Sequence, residues 1–181
     1  MEHRIENTIA LLARTPAALN GLLRGLPETW TLRNEGAHTW TVYAVVAHLV
    51  DADLANWMPR ARHILKFGDE RPFESFNRTG GHDKNEGKSL AELLDEFERQ
   101  RGEKLAELQA LNLQPGDLDR RGHHPTLGAV TLSQLLAAWA AHDLTHLHQI
   151  ARIMAVQYRE AVGPWQKFLG VLRCEGHSEP A

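Results

Sequence analysis

Apolar residues recur at spacings of three and four along most of the chain, and that period predicts helices separated by polar connections. The first helix begins near Glu2 and places Ile5, Ile9 and Leu12 on one face. Thr15 and Pro16 read as an N-cap and a first helical position, restarting the helix through Leu19, Leu22 and Leu23. Gly25 and Pro27 end it. After a connection, Thr41 is a suitable N-cap for a second long helix with the stripe Val42, Val45, Leu49, Ala52 and Asn56, and Trp57 beside it. Pro59 sits deep inside this pattern, so a kink or a helix end is expected there. The pattern resumes with Ala61, Ile64 and Leu65 as far as Gly68.

Residues 69–88 are polar and rich in Gly and Asn, apart from Phe73 and Phe76, which are expected to pin a long loop. Ser89 with Glu92 forms a capping-box pattern ahead of a third helix carrying Leu90, Leu93, Leu94, Phe97, Leu105 and Leu108. A second loop leads to Thr131 and Gln134, another capping box, and a fourth helix from Leu132 to about Gln157. Gly163-Pro164 sets off a short terminal helix, WQKFLGVLRC. No repeat and no convincing strand interrupts the series. The expected fold is all-α: a four-helix bundle with a short extra C-terminal helix, one domain over residues 1–181.

Composition narrows the function classes without choosing one. A hydrophobic fraction of 43%, a charged fraction of 24% and a net charge of −3 describe an ordinary globular chain. Acidic and basic residues are interleaved, so nucleic-acid and membrane partners are not expected. The single cysteine, Cys174, excludes an internal disulfide framework. With charges already present in MEHRIENTIALLART, no signal peptide is expected and the chain reads as cytoplasmic. Trp165 and Phe168 near the end hint at a homodimer.

Eleven histidines are the odd feature, and their positions matter more than their number. His142 and His146 stand four residues apart in AAHDLTHLHQI, which puts both imidazoles on one helix face, within reach of a single ion. They continue the stripe Leu132, Leu135, Trp139, Ile150 and Ile153, the side expected to face the bundle. His148, two positions on, does not share that face. His48, in VVAHLVDAD, lies on the core side of the second helix. Alanines surround all three and leave room between helices: Ala44, Ala47 and Ala52 on one, Ala138 and Ala141 on the other. An HxxxH pair also arises by chance, and a lone core histidine is more often structural. Three converging ones outweigh either objection.

Three protein ligands leave a coordination position for water or substrate, as catalytic sites do. An all-imidazole set suits Zn, Ni, Fe or Co and does not suit Mg or Ca. Asp51 and Asp143 lie close enough in sequence to orient a ring N–H, although plain surface charge is an equal reading. His82, His123 and His124 fall in loops, where histidines are usually solvated, and Cys174 has no site residue near it in sequence.

The segments WTVYAVVAHLVDAD, LGAVTLSQLLAAWAAHDLTHLHQIARI and YREAVGPW resemble the DinB-like superfamily of metal-binding four-helix bundles, which includes the bacillithiol and mycothiol transferases. In that family one histidine of the second helix and an HxxxH pair of the last long helix hold the metal. Carried over, these are His48, His142 and His146. The resemblance implies metal-dependent transfer of a low-molecular-weight thiol to an electrophilic small molecule. Other members are named from DNA-damage induction, which implies a stress-related setting. A metal-dependent hydrolase and a non-enzymatic metal-stabilised bundle are the competing expectations. A hydrolase needs a general base nearby, and no carboxylate supplies one clearly by spacing, which favours transfer.

Overall fold

A computed structural model describes residues 3–77 and 85–173. His82 and Cys174 lie outside the described residues. Helix α1 (Ile5–Leu12) runs into α2 (Thr15–Leu23), and a single turn, α3 (Glu28–Thr31), interrupts the connection that follows. Then come α4 (Val42–Ala55), α5 (Trp57–Phe67), α6 (Leu90–Ala110), a second single turn α7 (Pro115–Leu118), a hairpin of β1 (Arg121–His124) and β2 (Gly128–Thr131), and α8 (Leu132–Val156). The first pair of helices, the second pair, α6 and α8 are the four members of the bundle. Helix α4 packs on α6 and α8, while α1 and α5 lean on α8 and α2 on α6. Among the described residues no helix is long and apolar enough to cross a membrane.

The start signals read from sequence work as physical caps in three of four cases. Thr41 accepts from the Ala44 N–H at 3.1 Å. Ser89 with Glu92 and Thr131 with Gln134 both complete reciprocal capping boxes. Thr15 is the exception. It is already the first residue of α2 and makes no cap bond there. Its hydroxyl instead donates to Asp143 across the bundle at 2.6 Å, a bond between buried groups that a surface cap would not justify.

The expected disturbance at Pro59 is present but displaced by three residues. Helix α4 stops at Ala55, Asn56 leaves helical geometry (φ −109°, ψ −65°), and α5 starts at Trp57. Proline has no N–H to give the Ala55 carbonyl, and its ring crowds that carbonyl, so the chain breaks one residue after it. Arg60 N–H resumes the ladder on Asn56 at 3.2 Å.

Two expectations are corrected. The first is the absence of strands, because residues 121–131 form an antiparallel hairpin pairing Gly122 with Val130 and His123 with Ala129. The Phe73 N–H donates to the His123 carbonyl at 2.8 Å, which fastens the long loop to this hairpin. The second is the terminal helix, which is two 3-10 turns, Gly163–Phe168 and Gly170–Leu172, anchored by buried Leu172. Trp165 and Phe168 are both 68% exposed. At Gly122 the backbone passes so close to α5 that an added Cβ would meet Ile64 Cγ1 at 2.6 Å and Phe73 Cζ at 2.8 Å. Gly122→Ala is therefore expected to destabilise the fold by about 1–3 kcal/mol, the usual range for overpacking. Urea denaturation followed by circular dichroism checks it.

The core has two halves. One apolar cluster gathers Leu12, Trp57, Met58, Leu105, Leu108, Leu136 and Trp139. The other gathers Leu19, Val45, Leu49, Phe97, Ile150 and Ile153. Each bundle member also buries one polar residue of a single bonded group: Thr15, Asp53, Arg101 and Asp143. This polar belt is where the chemistry collects.

Candidate metal centre

Helix α4 supplies His48 and helix α8 supplies His142 and His146, and the packing of α4 against α8 brings all three together. His48 and His146 are each 3% exposed, and His142 is half-buried. The Nε2 atoms of His48 and His146 each lie 3.1 Å from Nε2 of His142. One ligand atom from each ring falls within 4.8 Å of the other two. Ligands about 2.0–2.1 Å from a tetrahedral ion stand about 3.3 Å from one another. The two 3.1 Å separations are close to that.

The donor set supports the same conclusion. A ring nitrogen has either one proton or one lone pair, so Nε2 of His142 makes a good hydrogen bond to one neighbour and not to two. A cation that accepts all three lone pairs satisfies every member. The residues therefore fit a divalent transition ion. Gln149 contributes a bond that sequence reading missed: its Oε1 lies 2.8 Å from Nδ1 of His146. With Nδ1–H donating to that carbonyl oxygen, the lone pair is on Nε2, facing the cluster. Burial pushes the His146 pKa below the ordinary histidine value, against the opposing pull of Gln149 and Asp143. The neutral, metal-ligating form therefore prevails at pH 7.

Aromatic rings enclose the cluster. Trp40 stacks parallel to His146 with centroids 6.1 Å apart and lies 4.9 Å from His48. Phe76 reaches within 6.0 Å of His48, and Trp57 meets His142 at 5.0 Å and 70°. Such walls exclude water and strengthen electrostatic interactions inside. The segment carrying Trp40 is tied to α8 by Glu35, whose carboxylate accepts from Arg152 Nε at 2.7 Å and also from its Nη2.

Beneath the histidines lies a charged group that no spacing rule picked out. Arg101 is 1% exposed and donates to Asp53 at 2.7 and 2.9 Å, to Asp143 at 2.6 and 3.1 Å, and to the Leu12 carbonyl at 2.9 Å. Burial works against its charge, but Asp53 and Asp143 outweigh burial and raise its pKa above the arginine range. Trp139 Nε1–H adds a bond to Asp53 at 3.1 Å. Asp143 thus faces Arg101 and Thr15, and it is Gln149 that orients a ligand ring. That differs from the expected role of Asp143.

Asp51 is buried and lines a cavity of about 610 Å³ together with Arg60, His63, Phe73 and Phe76. Phe76 is shared with the wall of the histidine cluster, so cavity and cluster adjoin. His148 stays half-buried outside the cluster. His123 and His124 belong to β1. Nδ1 of His124 accepts from the Thr126 and Leu127 N–H groups and so closes the hairpin turn.

Some of the missed residues carried a sequence signal. Arg101 falls four after Phe97 and four before Leu105, inside the apolar stripe of α6, and Asp53 falls four after Leu49. A charge on a buried face needs a buried partner. Gln149, Glu35 and Arg152 carried none.

Comparison with known proteins places both the family and the fold. The family model described as the DinB superfamily matches residues 11–150. A solved structure of YfiT from Bacillus subtilis, described as a probable metal-dependent hydrolase with an unusual four-helix bundle topology, superposes with a TM-score of 0.68. That alignment has 22% identity and covers 87% of each chain, which places the fold. No curated protein matches by sequence.

Proposed function

The chain belongs to the DinB superfamily, and from that premise we propose that it is a metal-dependent enzyme acting on an electrophilic small molecule at His48, His142 and His146. The observation that carries this reading is the convergence of three histidine Nε2 atoms, two from buried residues and one from a half-buried residue, beside a cavity large enough for a small substrate. A bound Zn or Ni ion, or Fe or Co, supplies Lewis-acid chemistry that brings the pKa of a water or thiol ligand towards neutrality. The chain's own residues hold, orient and shield. Gln149 fixes one ring, the Asp53–Arg101–Asp143 group fixes the helices that carry the ligands, and Trp40, Trp57 and Phe76 keep bulk water out.

Transfer of a low-molecular-weight thiol is the reading we favour, because forming a thiolate at such an ion needs no general base. Hydrolysis is the second reading. It is favoured by Asp51, buried on the cavity wall three residues after His48, and by the description of YfiT. Exposed Trp165 and Phe168 are the surface we would assign to a homodimer, and the cytoplasm is the setting that suits a small thiol cosubstrate.

The two chemistries separate in one experiment. Adding 2-mercaptoethanol to the Co(II)-substituted protein is expected to produce a sulfur-to-cobalt charge-transfer band and to release protons. His142→Ala removes the band and His148→Ala leaves it. If cobalt binds and thiols give no band, transfer fails. Ester hydrolysis that Asp51→Asn abolishes then becomes the expected activity.

A further inference from the structure

Helix α5 opens with Trp57, turned inward by the break at Asn56 until it is only 7% exposed. Its indole stacks on Trp139 with centroids 6.1 Å apart and 10° between planes. The two tryptophans share a core but differ in one respect. Trp139 Nε1–H donates to Asp53, whereas Trp57 Nε1 is buried with no hydrogen-bond partner among the described residues. Asn56 Oδ1 and Gln100 Oε1 are among the other buried atoms in that condition, but both are acceptors, whereas Trp57 presents an N–H from a ring that packs on a metal ligand, 5.0 Å from His142. A buried donor with no acceptor destabilises the fold, and phenylalanine would fill most of the same space without that penalty. An indole kept at the edge of the histidine cluster therefore points to an acceptor that arrives with the ligand.

We propose that the Trp57 indole N–H is a ligand-binding donor of the metal pocket, one that hydrogen-bonds an oxygen of a carboxylate-, hydroxamate- or carbonyl-bearing small molecule. The inference rests on the tri-histidine cluster being a metal site. Oxygen is the matching acceptor because sulfur accepts hydrogen bonds weakly. Trp57 then discriminates among ligands that share the same ion: it favours those presenting oxygen and is indifferent to a simple thiol. Its rigid stacking on Trp139 holds the donor in place before the ligand enters, which lowers the ordering cost of binding.

The test compares the full-length zinc-loaded chain with Trp57→Phe. Both are expected to take up equal zinc, and the apo variant is expected to melt no lower than the parent. Acetohydroxamate should bind the variant roughly ten-fold more weakly, the loss of one hydrogen bond, while 2-mercaptoethanol binds within about two-fold of the parent. Equal acetohydroxamate affinity with zinc present overturns the Trp57 inference alone. Failure of the parent to take up zinc overturns the metal reading and this inference with it. A second measurement needs no variant. The Trp57 indole proton resonance should move downfield when acetohydroxamate is added to the zinc-loaded chain. A resonance that stays put, or that already sits at a hydrogen-bonded position because of a trapped water, overturns the proposal.

Discussion

Replacing Arg101 with Met is expected to lower the free energy of unfolding by about 3–5 kcal/mol, the range found when one partner of a buried ion pair is removed. The guanidinium donates five hydrogen bonds and is 1% exposed, so nothing in solvent can substitute for it. Without it two buried carboxylates, Asp53 and Asp143, face each other across the belt. The methionine stem would retain part of the packing against Phe97 and Trp139, now 4.7 and 5.3 Å from the guanidinium carbon. The loss is therefore electrostatic in origin. Arg101→Lys should recover little, because an ammonium cannot present two parallel N–H pairs to two carboxylates. Replacing Asp53, Arg101 and Asp143 together with Leu, Met and Leu should recover only part of the stability: removing a whole buried ion group is milder than breaking it, but the Thr15 hydroxyl and the Trp139 Nε1–H lose their acceptors. Urea denaturation of the three variants decides the matter. A change under about 1 kcal/mol for Arg101→Met, the size of a surface pair, would refute the account of the belt.

His146→Ala is expected to abolish stoichiometric metal binding. Losing a residue that only orients a ligand typically costs 10–100-fold in metal affinity, so Gln149→Leu should fall in about that range and loss of the ligand itself should exceed it. The consequence for stability follows by mass action. Zinc raises the melting temperature of the parent and leaves that of His146→Ala unchanged. The apo chain should still fold, because the two apolar clusters bury a full set of bundle stripes without help from the ion. Calorimetry with and without zinc reads both effects. A zinc-dependent rise in His146→Ala equal to that of the parent would place the ion elsewhere.

Sequence periodicity disclosed the bundle because each helix keeps one apolar face over many turns, and the caps at Thr41, Ser89 and Thr131 mark local chemistry that needs no tertiary context. The same logic misassigned Thr15, since a hydroxyl that caps in a peptide can be claimed in the fold by a distant carboxylate. The hairpin of residues 121–131 stayed hidden for a related reason. Arg-Gly-His-His lacks β-branched residues, and Gly122 is required by the approach to Ile64 and Phe73, a constraint from another part of the chain. At the site, helical spacing was enough to pair His142 with His146, and the position of His48 in its stripe was enough to nominate it. Residues that act across the bundle were less legible. Gln149 and Arg152 have surface-type side chains whose partners, His146 and Glu35, become neighbours only after the chain folds.

The central claim, that His48, His142 and His146 hold one divalent transition ion, is tested most directly by elemental analysis of the full-length, untagged chain purified without chelator. One equivalent of zinc or nickel per chain is the predicted result, removed by chelator while the helical circular dichroism persists and restored on adding the ion back. A chain that carries no transition metal and takes up none from Zn(II), Ni(II) or Co(II) would contradict the account.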